Sequence, residues 1–320
     1  MKTLADIKKI AVLGAGTMGP GIAQTYAMGG YEVTMWTRSE STREKAKAAL
    51  HNSLVTFAEE GVIPEAAIED IYNRVSFALT VPECVEGAQF IQETIVENKD
   101  AKIELYNQLA EIVPSDVIIA SNTSALNIFE IVPEKLLPQQ IICHWYAPPH
   151  VIPLVEVVKS EQAPQEYADI AVTMLNNCGK TAVFMKKFIK GYIVNRLQQC
   201  LNQEVFFLLD GGYCDAEAID LAAKASFIPR ACVLGLCKRM DFGGVDMTYN
   251  NFKNKSYAAP QWDNPPTTLQ TLVDANKLGI KTGEGFYSYE GVDMEALKAK
   301  RDKQLFEIFN VTKKFMADPV

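Results

Sequence analysis

Residues 9–40 read KIAVLGAGTMGPGIAQTYAMGGYEVTMWTRSE, and the fold follows from how they are parsed. An apolar run, KIAVL, meets Gly14, Gly16 and Gly19 in a G-x-G-x-x-G turn. A helical run of small residues and a second apolar run, YEVTMW, come next. Strand, glycine turn, helix and strand make the βαβ unit that binds a dinucleotide. The first glycine permits the tight turn, the second lets the backbone approach a pyrophosphate, and the third lets the helix pack close to the strand. With Thr17 and Met18 in the turn, the pyrophosphate is expected at the helix N-terminus, where free N–H groups and the helix dipole favour an anion. Glycine turns also end ordinary strands, so the flanking strands carry the nucleotide reading.

After the second strand, a carboxylate usually accepts the ribose 2′-hydroxyl of NAD. Thr37, Arg38 and Ser39 stand there instead, with Arg43 one turn into the next helix. An arginine fork suits a 2′-phosphate, and no carboxylate is present to repel one. NADP is therefore the expected cofactor and NAD the alternative; the plainer reading leaves both arginines solvated.

Further along, the apolar runs AQFIQETI, DVIIAS, QIICHW, LVEVV and TAVFMK alternate with helical patterns, which predicts parallel strands with crossover helices. From about Phe188 the strand signal stops. GYIVNRLQQCLNQEVFFLLDGG, DAEAIDLAAKAS and MEALKAKRDKQLFEIFNVTKKFM keep helical spacing. The expected fold is α/β, an N-terminal Rossmann-type doubly wound sheet over residues 1–187 and an all-helical domain over 188–320. A chain of 320 residues, 48% hydrophobic, has the size for two such domains.

The net charge of −8 disfavours nucleic acid or an anionic membrane as partner. No apolar span is long enough for a membrane helix. The seven scattered cysteines suggest neither a disulfide framework nor a metal site, and a reducing cytoplasm is expected.

Three segments carry candidate chemistry. IIASNTSALNIFE sets Ser121, Asn122, Thr123 and Ser124 past a strand end, on the edge where open α/β sheets bind ligands. Capping of a helix beginning near Leu126 is an equal alternative. In QIICHWYAPPHVIPLVEVVKS, His144 ends an apolar strand before a Pro-Pro break, so its ring should project into the cleft, able to exchange a proton near neutral pH. Glu156 lies between Val155 and Val157, where a buried carboxylate is costly unless paired. His144 is the obvious partner. The third, KTGEGFYSY, lacks the order of a phosphate loop and reads as a turn packing Phe286 and Tyr287 into the helical domain.

From about Ile7 to Tyr289 the chain resembles the L-3-hydroxyacyl-coenzyme A dehydrogenase family, which includes lambda-crystallin-like and gulonate dehydrogenases. The anchors are GAGTMGPGIA, ETIVENKDAKIELY, ASNTSAL, the histidine followed by PP and PLVEVV, GYIVNRL and KTGEGFYSY. The resemblance implies that His144 is the general base or acid with Glu156 behind it. It implies that Ser124 and Asn195 hold the substrate's C3 oxygen, and that Glu97, Lys102 and Asn122 lie at the cofactor. It also implies interconversion of an L-3-hydroxyacyl compound with its 3-keto form, a place in fatty-acid metabolism for a thioester substrate, and a homodimer built through the helical domain.

Four positions depart from the family pattern. Ala147 replaces an asparagine often found near the nicotinamide, and Thr37 replaces the ribose acid. VLGLCKRMDFGGVD replaces a proline- and phenylalanine-containing stretch. Ser53, the coenzyme A-binding serine position, is followed by LVTFAEEGVI, with Glu59 and Glu60 where basic residues would meet phosphates. The alternatives are therefore a dehydrogenase of a free 3-hydroxy acid, gulonate- or carnitine-like, and a non-catalytic nucleotide-binding protein.

Overall fold

A computed structural model of the chain describes residues 3–255, 259–260, 262 and 264–319. It has two compact units, Met1–Ile193 and Val194–Val320.

The first unit is an eight-stranded sheet in the order β3-β2-β1-β4-β5-β6-β7-β8. The strands are β1 Lys9–Leu13, β2 Glu32–Trp36, β3 Val75–Ala78, β4 Phe90–Glu93, β5 Ile118–Ser121, β6 Gln140–Trp145, β7 Leu154–Lys159 and β8 Thr181–Phe184. β1 to β6 are parallel, in the order of a doubly wound dinucleotide fold. Helices α1 Gly19–Met28, α2 Glu40–Glu59, α3 Ile68–Asn73, α4 Val81–Val85, α5 Lys99–Ile112 and α6 Gln165–Asn177 connect the strands. Ser39 caps α2 and Asn98 caps α5, each side-chain oxygen accepting a backbone N–H of the first turn. α1 is buried along nearly its whole length because glycines and alanines let it lie close on the sheet. A Cβ at Gly21 would meet the His150 ring at 2.6 Å and Pro149 at 2.8 Å.

Two features of the sheet differ from the sequence expectation. β3, the short edge strand VSFA, gave no sequence signal, because four residues with only its two ends buried make no apolar run. β7 runs antiparallel to β6, and β8 follows β7. The Pro-Pro segment between β6 and β7 is a tight return with a cis Ala147–Pro148 bond and leaves no length for a crossover helix.

The first unit also extends past the boundary expected after Lys187. The buried Tyr192 belongs to it, and Ile193 N–H donates to Glu156 Oε1.

The second unit is helical: α7 Val194–Asp210, α8 Ala216–Ala222, α9 Ile228–Leu234, α10 Leu236–Gly243, α11 Val245–Lys253, α12 Thr267–Asp274 and α13 Met294–Ala317. Gly211 and Gly212 stop α7, the latter at φ +66°. None of these helices fully buries a described residue, and Phe242, Tyr249 and Phe252 are well exposed. The 281–289 turn packs less fully than expected. Phe286 and Tyr287 stay half exposed, one near Phe206 at 6.2 Å and the other donating its hydroxyl to Asp220 at 2.8 Å. No described helix is long and apolar enough to cross a membrane.

Candidate active site

β1 ends at Leu13 and the glycine turn begins. Gly14 takes φ +123°, and a Cβ there would press on the Thr94 carbonyl at 2.7 Å. A Cβ on Gly19 would collide with the Gly14 carbonyl, whereas one on Gly16 would meet nothing within 4 Å. The turn is thus tight at its two ends and open in its middle. With Thr17 and Met18 completing it and α1 starting at Gly19, the residues present fit a dinucleotide: backbone access at Gly16 and helix N–H groups beside it.

At the end of β2, Thr37 is buried, its N–H donating to the Ala78 carbonyl at 3.0 Å. Arg38 is exposed beside it. Arg43 is drawn to Glu40, with Glu44 at 3.9 Å, so it does not face an open anion site by itself. Ser53 lies on α2, its hydroxyl oxygen covered and meeting no partner among the described residues.

At the carboxyl edge of β4 and β5, Glu97 organises the SNTSA turn. Its Oε1 accepts from Thr123 Oγ1 at 2.6 Å, from the N–H of Ser124 and of Ala125 at 2.9 Å each, and from Leu126 N–H at 3.3 Å. Burial would raise the Glu97 carboxyl, but these donors and Lys102 outweigh it and hold the carboxyl below its usual range. No α-helix starts near Leu126; a short 3-10 turn begins at Ile128, and the turn's N–H groups are satisfied by Glu97. Thr123 Oγ1 also accepts from Leu126 N–H at 3.1 Å, so the segment's own side chain caps a turn and not the α-helix expected there. Ser124 is exposed at the rim.

Lys102 is fully buried. Its ammonium lies 2.6 and 2.7 Å from the two Glu93 oxygens, 3.7 Å from Glu97 and 3.3 Å from the Asn122 carbonyl. Glu93, which sequence reasoning missed, also accepts from Ser121 Oγ at 2.5 Å, Tyr106 OH at 3.2 Å and Ile95 N–H at 2.8 Å. Asn122 bridges strand ends, giving its amide N–H to Thr94 and accepting from Trp145 N–H at 3.0 Å.

His144 and Glu156 face each other as direct partners across β6 and β7. Nδ1 lies 3.0 Å from Glu156 Oε2, with His144 at 2% and Glu156 at 0% exposure. Tyr146 OH donates to the same oxygen at 2.7 Å. The imidazole stacks on Tyr192 at 4.3 Å and 22°, and the Tyr146 ring centre is 4.6 Å from it. Tyr192 has φ +50°, a conformation costing on the order of 1 kcal/mol or more. Its hydroxyl is held by the Thr123 carbonyl at 2.8 Å, which ties the histidine pocket to the turn carrying Ser124. Burial, then the nearby carboxylates Glu97 and Glu156, push its phenol well above the ordinary range. Tyr146 and Tyr192 were also missed in the sequence.

With Nδ1 engaged, Nε2 is the ring atom left to exchange a proton with a ligand. Asn195 is the second residue of α7, in the second unit. No group of three His, Cys, Asp or Glu among the described residues could hold a metal ion.

Fold and site define the class, a dinucleotide-binding oxidoreductase with a helical second domain. Residues 9–188 match the family model of the 3-hydroxyacyl-CoA dehydrogenase NAD binding domain, and residues 191–289 match that of its C-terminal domain. The chain belongs to the 3-hydroxyacyl-CoA dehydrogenase family. Among its relatives, the 5-formyl-3-hydroxy-2-methylpyridine 4-carboxylate 5-dehydrogenase of Mesorhizobium japonicum is 30% identical, covering 94% of this chain and 97% of the relative. A probable 3-hydroxybutyryl-CoA dehydrogenase of Bacillus subtilis is 34% identical over 89% and 98%. L-carnitine dehydrogenase of Pseudomonas putida is 26% identical over 98% and 96%. A crystal structure of a 5-formyl-3-hydroxy-2-methylpyridine 4-carboxylic acid 5-dehydrogenase, described as an NAD+ dependent dismutase, superposes with a TM-score of 0.84 at 27% identity, covering 96% and 99% of the two chains.

Proposed function

We propose that the protein interconverts an L-3-hydroxyacyl compound and its 3-keto form with a nicotinamide cofactor. The observation that carries this reading is the fully buried Glu156 behind His144 at the edge of the sheet. The carboxylate fixes the ring with Nε2 outward and stabilises the imidazolium formed when Nε2 takes the alcohol proton. Ser124 is a proposed donor to the C3 oxygen, and Asn195 is the substrate-binding residue that the family resemblance adds. The cofactor, when bound, supplies the hydride acceptor. Glu97 holds the Ser124 turn in place, and Lys102 supports Glu97 from beneath.

NADP is the proposed cofactor, supported by exposed Arg38 and by the absence of a carboxylate at Thr37; NAD is the alternative. If Arg38 forks a 2′-phosphate, Arg38→Ala should raise KM for NADP about 10- to 100-fold, a loss of roughly 1.5–3 kcal/mol, and leave KM for NAD unchanged. A wild-type preference for NAD would refute the assignment.

A second reading, a free hydroxy acid as substrate, is favoured by Glu59 and Glu60 at the end of α2, which would repel a coenzyme A phosphate. Two relatives that align over nearly the whole chain are named for free carboxylates. Cofactor reduction with 3-hydroxy acids and their coenzyme A thioesters, run with both nicotinamide cofactors, separates the readings. No turnover of acetoacetyl-coenzyme A at millimolar concentration moves the assignment to the free acids. His144→Gln should abolish turnover while dinucleotide binding persists; undiminished turnover would leave only a nucleotide-binding role. We further propose a cytoplasmic homodimer built through the helical unit, its apolar stretches EVFFLL and CVLGLC supplying the interface.

A further inference from the structure

Glu156 receives more donors than are needed to orient one imidazole. Oε1 accepts from Ile193 N–H at 2.9 Å, and Oε2 accepts from both His144 Nδ1 at 3.0 Å and Tyr146 OH at 2.7 Å. The tyrosine contact is the shorter of the two on Oε2. It is in the range of a charge-assisted bond, with the phenol hydroxyl as donor. Tyr146 stands two positions beyond His144, just past the end of β6 at Trp145. Its ring lies against the imidazole as well.

We propose that Tyr146 is a positioning residue of the proton-transfer site, sharing Glu156 Oε2 with His144 so that the carboxylate's charge is divided between a neutral donor and a titratable one. The proposal rests on the reading of His144 as the base. A carboxylate serving only the imidazole would hold the ring's proton tightly, and the ring would be a poor base at neutral pH. The tyrosine hydroxyl draws off part of that charge.

Tyr192, stacked on the imidazole, has Glu97, Glu156, Tyr146 and Cys143 as its titratable neighbours. Burial holds the Tyr192 phenol and the Cys143 thiol protonated, and Glu97 is an anion across the assay range. None of these changes charge alongside His144.

The test is Tyr146→Phe, which removes the hydroxyl and keeps the ring. The His144 ring proton is titrated by NMR in the cofactor-free full chain, which has three histidines, and assigned against His144→Gln. In parallel, the pH profile of kcat/KM is measured in the oxidation direction. The expected result is a rise in the His144 midpoint of about half a unit to one unit, a roughly 3- to 10-fold tighter hold on the proton. The acidic limb of kcat/KM should move by the same amount while KM for the cofactor stays within about twofold. A purely packing role would lower activity at every pH without moving either midpoint, and an unmoved or lowered ring midpoint overturns the proposal. A raised ring midpoint with an unmoved kinetic limb instead overturns His144 as the base, because the ring would then respond to Tyr146 without governing the rate.

Discussion

Replacing Glu156 by Gln tests the charge logic of the site with the least change of shape. The carboxylate has donors on both oxygens: Ile193 N–H on one, and His144 Nδ1 and Tyr146 OH on the other. An amide has one acceptor to offer. With its oxygen toward His144, its NH2 faces the Ile193 N–H, donor against donor. Turned over, its NH2 faces Nδ1, which becomes an acceptor, so the ring proton moves to Nε2 and the outward nitrogen can no longer take one. Either orientation loses a charge-assisted bond of about 1.5–3 kcal/mol and leaves a buried donor unmet for about 1–3 kcal/mol more. Those ranges sum to roughly 2.5–6 kcal/mol, which brackets the roughly 3–5 kcal/mol cost of breaking a buried pair from one side. At 1.36 kcal/mol per decade, the same loss in the transition state is about two to four orders of magnitude in kcat/KM. A thermal melt should also fall, by about 2–4 °C for each kcal/mol in a domain of this size. Steady-state oxidation of the best substrate, with calorimetric binding of the dinucleotide as control, measures the effect. A variant within threefold of wild type in kcat/KM would refute the argument, because a buried anion that can be neutralised without consequence is not stabilising a charge formed in the reaction.

Gly19→Ala should destabilise the first unit by about 1–3 kcal/mol and weaken dinucleotide binding, since its Cβ would strike the Gly14 carbonyl. An unchanged melting temperature would show that α1 does not need its close approach to the turn. Glu97→Gln addresses pH. The folded carboxyl is depressed below 4.5, so its contribution to stability is complete above about pH 4.5 and disappears as pH falls through the folded value. The gap in melting temperature between wild type and Glu97→Gln should therefore be steady above that pH and shrink below it. A gap that widens in acid would reverse the sign of the assignment.

The parallel half of the sheet was legible because β1, β2, β4, β5 and β6 are buried on both faces and read as continuous apolar runs. β3 was not, being a short edge strand. The reversal at β7 was not read either, although the Pro-Pro return was visible. Burial of Glu156 was legible from its valine neighbours, and the register then supplied what sequence could not, a partner directly across the ladder. The same argument would have found Glu93. It ends the apolar run FIQE and is as deeply buried as Glu156, with Lys102 on the following helix. Tyr192 and Tyr146 carried no such signal, since an aromatic residue beside a strand end is ordinary packing until its hydroxyl partner is known.

The two buried carboxylates share an edge of the sheet, but the chemistry open to them differs. Glu93 faces the ammonium of Lys102 together with two hydroxyls and an N–H. The same ammonium lies 3.7 Å from Glu97, so it braces two carboxylates and holds position. Glu156 faces two neutral donors and an imidazole that can be either neutral or charged. A buried carboxylate lowers the energy of a cation created beside it, and the His144 ring lies against Glu156 at 3.0 Å. Exchange the two partners, an ammonium for the imidazole, and the proton would have nowhere to arrive. On the proposed reading the proton is exchanged where a carboxylate meets the imidazole, and the Glu93–Lys102 pair next to it supports Glu97 and so the turn that carries Ser124.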